Sequence, residues 1–179
     1  MNDLFNINTY LADGFVKVAD VQHDPIKQGW WRFRNINEDL LFEDHRSWVY
    51  AIVCGEEVVK IGETGNPLGI KSTRMPHKGQ PIAGTTCRFG RLRSFGSIGD
   101  TKCGDTDGRI RRELHEEVSK GVGRVSIWVK RCDLFHVQSK LYAEPFIVPV
   151  SYHKEIEKGY LNRILEETGR LPRLNTGRI

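Results

Sequence analysis

Between Trp48 and Cys54 the chain reads Trp-Val-Tyr-Ala-Ile-Val-Cys, β-branched and aromatic almost throughout. After Gly55-Glu56-Glu57 the same character resumes in Val58-Val59-Lys60-Ile61-Gly62. Two such runs separated by a glycine-bearing turn predict an antiparallel hairpin. That hairpin brings Tyr50 and Lys60, ten positions apart in the chain, near each other in space. Farther on, Ile110, Leu114 and Val118 recur at i+4 within Asp107–Val118, which predicts an amphipathic helix with a basic start, ending at Gly121. Val125-Ser126-Ile127-Trp128-Val129 alternates into a further strand, and Phe146-Ile147-Val148-Pro149-Val150 is a short apolar segment punctuated by prolines. A second helix is predicted from Ser151 or Tyr152 through Glu167, with Tyr152, Ile156, Tyr160, Leu161, Ile164 and Leu165 on one face and Gly169 closing it.

The stretches between these elements are of two kinds. Residues 1–45 mix short apolar groups with turn residues and include Gln28-Gly29-Trp30-Trp31-Arg32-Phe33-Arg34. They read as an N-terminal extension, either contacting a nucleic acid or mediating dimerisation. Paired aromatics beside guanidinium groups can stack on bases, although a Trp-Trp strand more often packs under a sheet. Residues 79–108 are rich in Gly, Arg, Ser and Thr and sustain no period beyond a short strand near Cys87–Leu92, so they read as an inserted loop.

Composition narrows the class. With 179 residues the chain has room for one ordinary domain. At 39% hydrophobic and 28% charged residues it is a soluble composition, no apolar run approaches a membrane span, and Met1–Tyr10 lacks a signal-peptide pattern. A cytoplasmic location is expected. The four cysteines, Cys54, Cys87, Cys103 and Cys132, form no C-x-x-C pair, which supports neither a zinc ribbon nor a thioredoxin-like motif and leaves free thiols as the expectation.

The net charge of +4 says little until it is located along the chain. From Lys60 to Arg131 there are 15 Lys/Arg against 7 Asp/Glu, whereas the remainder has 12 against 16. A basic middle segment suits a polyphosphate partner, because neutralising phosphates releases counterions.

The chemistry-bearing residues, taken in order, resemble the GIY-YIG nuclease family. Trp48-Val49-Tyr50 and Lys60-Ile61-Gly62 fall where the family's two signatures fall; a helix-borne arginine, a late helical glutamate and the closing Pro172-Arg173-Leu174-Asn175 follow in the same order. The nearest likeness is to its phage endonuclease II and restriction-enzyme branch, over roughly residues 46–176. The resemblance implies an α+β fold: a small three-stranded antiparallel sheet flanked by helices over 46–179, carrying the N-terminal extension and the inserted basic loop. It also implies hydrolysis of phosphodiester bonds in double-stranded DNA, restriction-type and site-specific, by a homodimer that places one site on each strand. A non-catalytic nucleic-acid-binding domain on the same fold is the alternative.

The resemblance assigns roles residue by residue. Tyr50 orients or deprotonates the attacking water; a free phenol has a pKa of about 10, so this needs nearby positive charge. Lys60 departs from the tyrosine found in most of the family, as some restriction-type members do. Arg74, one insertion later than usual, takes the phosphate-binding arginine role with Lys71 as runner-up, and His77 assists. Glu157 is the ligand of one Mg²⁺ or Mn²⁺, since Tyr160 and Leu161 follow it at the family's apolar +3 and +4 positions, where Glu155 has Lys158 and Gly159. Glu144 is a rival, against which Pro145 and Pro149 speak, because they disfavour a helix there. Asn175 matches the closing asparagine that supports the site through hydrogen bonds. Lys71, Lys78, Arg88, Arg91, Arg93, Arg109 and Arg111 are the expected DNA contacts.

Overall fold

The computed structural model describes residues 3–23, 31–42, 45, 47–65, 68, 105–141 and 144–175. For 31–33, 41–42, 105–111, 139, 141, 144 and 146 the description extends to the backbone alone. The elements run α1 (Asn8–Leu11), β1 (Val16–His23), β2 (Trp31–Arg34), α2 (Glu38–Phe42), β3 (Trp48–Cys54), β4 (Glu57–Thr64), α3 (Asp105–Ser119), β5 (Val125–Arg131), β6 (Leu134–Leu141), β7 (Glu144–Ser151) and α4 (His153–Thr168). The architecture is α+β, as expected.

The main sheet has five strands in the order β2-β1-β5-β3-β4, all antiparallel, where three were expected. The additional pair comes from residues 16–34. The apolar residues Val18, Ala19 and Val21 join the core, although Lys17 and Asp20 interrupt their pattern. Those two charges answer each other: buried Asp20 is ion-paired with Lys17 and accepts a hydrogen bond from Asn35 Nδ2 at 2.7 Å. A charge so compensated is tolerated inside a strand, and its presence hides the strand from a pattern search.

The two faces of the sheet are covered differently. One face, bearing Trp48, Ile52, Cys54, Val125, Ile127 and Val129, packs Leu114 and Val118 of α3. The opposite face, with Val49, Ala51, Val53, Val58 and Ile61, takes Leu161 and Ile164 of α4 together with Leu4, Ile7, Tyr10 and Phe15. Trp48, Ile52, Ile127, Leu114 and Ile164 are all within 1% of full burial, and truncating such side chains to alanine costs about 2–5 kcal/mol each. Both helices lie where their periodicity placed them. Gly169, at φ 73°, ends α4 and donates its N–H to Leu165 O. The buried stripe of α4 is narrower than expected, because Tyr152 and Leu165 are exposed.

Residues 134–151 form a separate two-stranded sheet, with Phe135 opposite Val150 and Val137 opposite Val148. Pro145 and Pro149 sit in its strand β7, paired with Lys140 and His136. Proline is admitted here because β7 is an edge strand that need not donate along its whole length. Cys54 and Cys132 are buried free thiols, and burial pushes the Cys54 thiol up to about 12. Among the described residues no helix is long and apolar enough to cross a membrane.

Candidate active site

The register of the β3–β4 hairpin is set by a two-residue turn and then changed by a bulge. Cys54 pairs with Glu57 and Val53 with Val58, so that Gly55 (φ 67°) and Glu56 make the turn. Uninterrupted pairing would next oppose Ile52 to Val59 and Ala51 to Lys60. Instead Ile52 pairs with Lys60 and Tyr50 with Gly62, leaving Val59 as the extra residue. One inserted residue transfers every later side chain to the other face of a strand. The bulge therefore puts Lys60 and Gly62 on the same face as Tyr50, the face that packs α3, while Ile61 and Glu63 turn toward α4. Tyr50 and Lys60, both half-buried, become diagonal neighbours as expected from their spacing.

Gly62 is glycine for reasons of space. A Cβ built there would overlap Cζ and Oη of Tyr50 and lie 2.8 Å from its Cε1. The tyrosine ring thus lies across the backbone of the opposite strand, packed against the core on that side. This close approach accounts physically for the Ile61-Gly62 pair noticed in the sequence.

The outer edge of β4 is closed by the segment that follows α4. Asn175 meets Ile61 at two points: Ile61 N–H donates to Asn175 Oδ1 at 2.8 Å, and Asn175 Nδ2 donates to Ile61 O at 2.7 Å. Its side-chain amide stands in for a paired strand. Leu174, fully buried, donates its N–H to Val59 O at the bulge. Asn175 accordingly fixes the one residue that lies between Lys60 and Gly62.

Glu157 lies elsewhere. It is half-buried on the stripe of α4 that includes Ile156, Tyr160, Leu161 and Ile164, whereas Glu155 is exposed, so the helix phase argued from +3 and +4 matches the burial. That stripe covers the face of the sheet opposite Tyr50 and Lys60. The hairpin therefore brings Tyr50, Lys60 and Gly62 onto one face with Asn175 bonded at its outer edge, and Glu157 lies on the helix that covers the other face. Tyr160 secures the helix: it donates to Asp13 Oδ2 at 3.1 Å and accepts from Lys130 Nζ at 3.2 Å. Burial, reinforced by Asp13, holds its phenol above the ordinary range, so the hydroxyl stays protonated.

Four residues given no role from the sequence, His153, Glu63, Ser151 and Ser47, tie the start of α4 to the β3–β4 hairpin. His153 Nε2 lies 3.1 Å from Glu63 Oε2, and His153 Nδ1 lies 2.8 Å from Ser151 Oγ, which in turn contacts Ser47 Oγ. Glu63 directly follows Gly62, and His153 precedes Glu157 by one helical turn. An i, i+4 His-Glu pair beginning a helix was the available signal.

Lys71, Arg74, His77, Lys78, Arg88, Arg91 and Arg93 lie outside the described residues, as does Trp30. Arg109 and Arg111 fall in the first half of α3, and Glu144 opens β7, with their backbones alone described. Among the described residues no three His, Cys, Asp or Glu side chains are gathered as a multidentate metal site.

No family model matches the chain, and no curated protein matches it. Solved structures do share its fold. The restriction endonuclease HPY188I, in complex with product DNA, superposes with a TM-score of 0.51 at 13% identity, over 99% of this chain and 88% of that one. A mutant of bacteriophage T4 EndoII superposes with a TM-score of 0.56 at 14% identity, over 96% of this chain and 99% of that one. At such identities the likeness is one of fold, and the fold is one that both of these endonucleases use along nearly the whole length of the chain.

Proposed function

We propose that this protein is a metal-dependent endonuclease of GIY-YIG type that hydrolyses phosphodiester bonds in double-stranded DNA, site-specifically and as a homodimer. The observation that carries the reading is the bulged hairpin: it seats the Tyr50 ring over Gly62, sets Lys60 diagonally beside it, and has its edge fixed by Asn175. The two endonucleases of the same fold support it. In this reading Tyr50 Oη accepts a hydrogen bond from the attacking water and takes its proton. Lys60, on the same face, favours the ionised phenol by proximity of positive charge. Arg74, with Lys71 beside it in sequence, binds the non-bridging oxygens of the scissile phosphate. Arg109, Arg111 and the basic residues of 79–108 hold the flanking backbone.

The residues present suit a single hard cation. Glu157 offers one half-buried carboxylate, and a cation that keeps several waters and accepts phosphate oxygens needs no more from the protein. Glu157 would hold Mg²⁺ or Mn²⁺, and the bound ion would supply neutralisation of charge on the phosphate and leaving oxygens. Tyr160 and Leu161 fix the helix that presents the carboxylate, and the His153–Glu63 pair fastens that helix to the strand carrying Lys60.

Plasmid DNA incubated with the purified chain tests the reading. Cleavage is expected with Mg²⁺ or Mn²⁺ and none with EDTA. Glu157→Gln is expected to lower cleavage by about 10³-fold or more while DNA binding in a gel-shift assay persists. Full activity of that variant would remove Glu157 from the site, and an inert wild-type chain that still binds DNA would favour the non-catalytic alternative.

A further inference from the structure

The segment that clips β4 is itself anchored by charge. Arg173, two residues before Asn175, places Nη1 3.0 Å from Glu113 Oε2, Nη2 3.4 Å from Glu117 Oε1 and Nε 3.7 Å from Glu57 Oε2. Glu113 and Glu117 belong to α3, and Glu57 opens β4. Glu117 is shared further, with Lys120 Nζ at 2.7 Å and Arg124 Nε at 3.1 Å. Burial works against the Arg173 charge, but Cys54 and the three carboxylates outweigh it and hold the guanidinium above its ordinary value. One side chain therefore joins the C-terminal segment, the start of β4 and the second half of α3.

Asn175 cannot aim its amide at Ile61 unless the backbone just before it is held in place. Leu174 supplies depth, through full burial and its bond to Val59 O. Arg173 supplies direction, because a planar guanidinium facing carboxylates on two elements resists both sliding and rotation. Glu113 and Glu117 lie on the helix whose opening turns bear Arg109 and Arg111.

We infer that Arg173 is a positioning residue for the proposed nuclease site: it sets Asn175 against Ile61, thereby fixes Lys60 and Gly62 on either side, and links that strand edge to the helix assigned to DNA contact. The inference rests on the nuclease reading for its catalytic half only. Its structural half is tested by exchange of a single amide.

In the full chain, amide hydrogen exchange of Ile61, which donates to Asn175, is compared with that of Val58, which lies on the same strand but donates to Phe5 O. Arg173→Gln is expected to speed Ile61 exchange by about tenfold with Val58 nearly unchanged, and Arg173→Lys to restore part of the protection. Glu113→Gln, which leaves the C-terminal sequence intact, is expected to act in the same direction by about threefold, and serves if the arginine variant does not fold. In cleavage assays Arg173→Gln should lower kcat by about tenfold with KM for DNA held within about twofold. Ile61 protection unchanged, or Ile61 and Val58 accelerated alike, would overturn the inference. A changed Ile61 with unchanged kcat in an active enzyme would overturn its catalytic half. An inert wild-type chain would overturn the nuclease reading, while Ile61 exchange still decides the anchoring on its own.

Discussion

Among the described residues, the β3–β4 and β6–β7 hairpins are of similar length and live in opposite circumstances. The β3–β4 hairpin is buried on both faces and clipped along its outer edge, so its register is fixed to the residue and a single bulge decides which side chains share a face. In the β6–β7 hairpin, Phe135, Val137 and Ile147 stay exposed, Ile147 by 69%. Both are antiparallel ladders. The difference shows that strand pairing alone does not define a site; positions useful for chemistry arise where packing from several sides leaves a strand one register and no other.

The sharpest way to break this comparison is at the pair on which the proposed site is built. Tyr50→Phe removes a hydroxyl and little else, and is expected to lower turnover by about 10²–10⁴-fold with a melting temperature close to that of the wild type. Lys60→Met should lower it comparably, and the double variant should be little worse than either, since groups acting as one unit are strongly non-additive. Penalties that multiply would show separate roles, and an active Tyr50→Phe would remove the central residue.

Gly62→Ala measures the fit between the strands. The added methyl group has no room beneath the Tyr50 ring, and chemical denaturation is expected to register a loss of about 1–3 kcal/mol. Combining it with Tyr50→Ala should cost less than the two changes added together, because the ring responsible for the clash is gone. Simple additivity would mean that the ring does not lie where the structure places it. The smallest effect is expected from the other hairpin: Ile147→Thr should shift stability by no more than about 0.5 kcal/mol, consistent with a side chain in water. A loss of several times that value in solution would show that this hairpin is covered after all.

Much of this was legible in the sequence, for identifiable reasons. The β-branched runs around Gly55, the i+4 apolar series of α3 and the glycine closing α4 each state a local preference that packing does not overrule. Helix phase separated half-buried Glu157 from exposed Glu155, and Asn175, expected to act through hydrogen bonds, makes two with Ile61. Three features were hidden. β1 carries Lys17 and Asp20 within its run, and their mutual neutralisation shows only once the chain is folded. The bulge at Val59 leaves no signature, because Val58 and Val59 are equally apolar and either could face inward. The position of Glu157 across the sheet from Tyr50 depends on which face α4 covers, a choice of tertiary packing that helix periodicity does not determine.

The strand order has a kinetic corollary. β5 is the central strand, with β1 on one side and β3 on the other, and its register sets Val16 opposite Val129. The β1–β2 and β3–β4 pairs are local and can form early, but they are joined edge to edge through β5 only once the chain has closed a loop more than half its own length. Such long-range pairing slows folding, since closure entropy is lost before contacts repay it. Until Val125–Arg131 is in place, the two early ladders are open-edged sheets. During that interval the edges of β1 and β3 that β5 will fill are the surfaces most prone to pair with another chain.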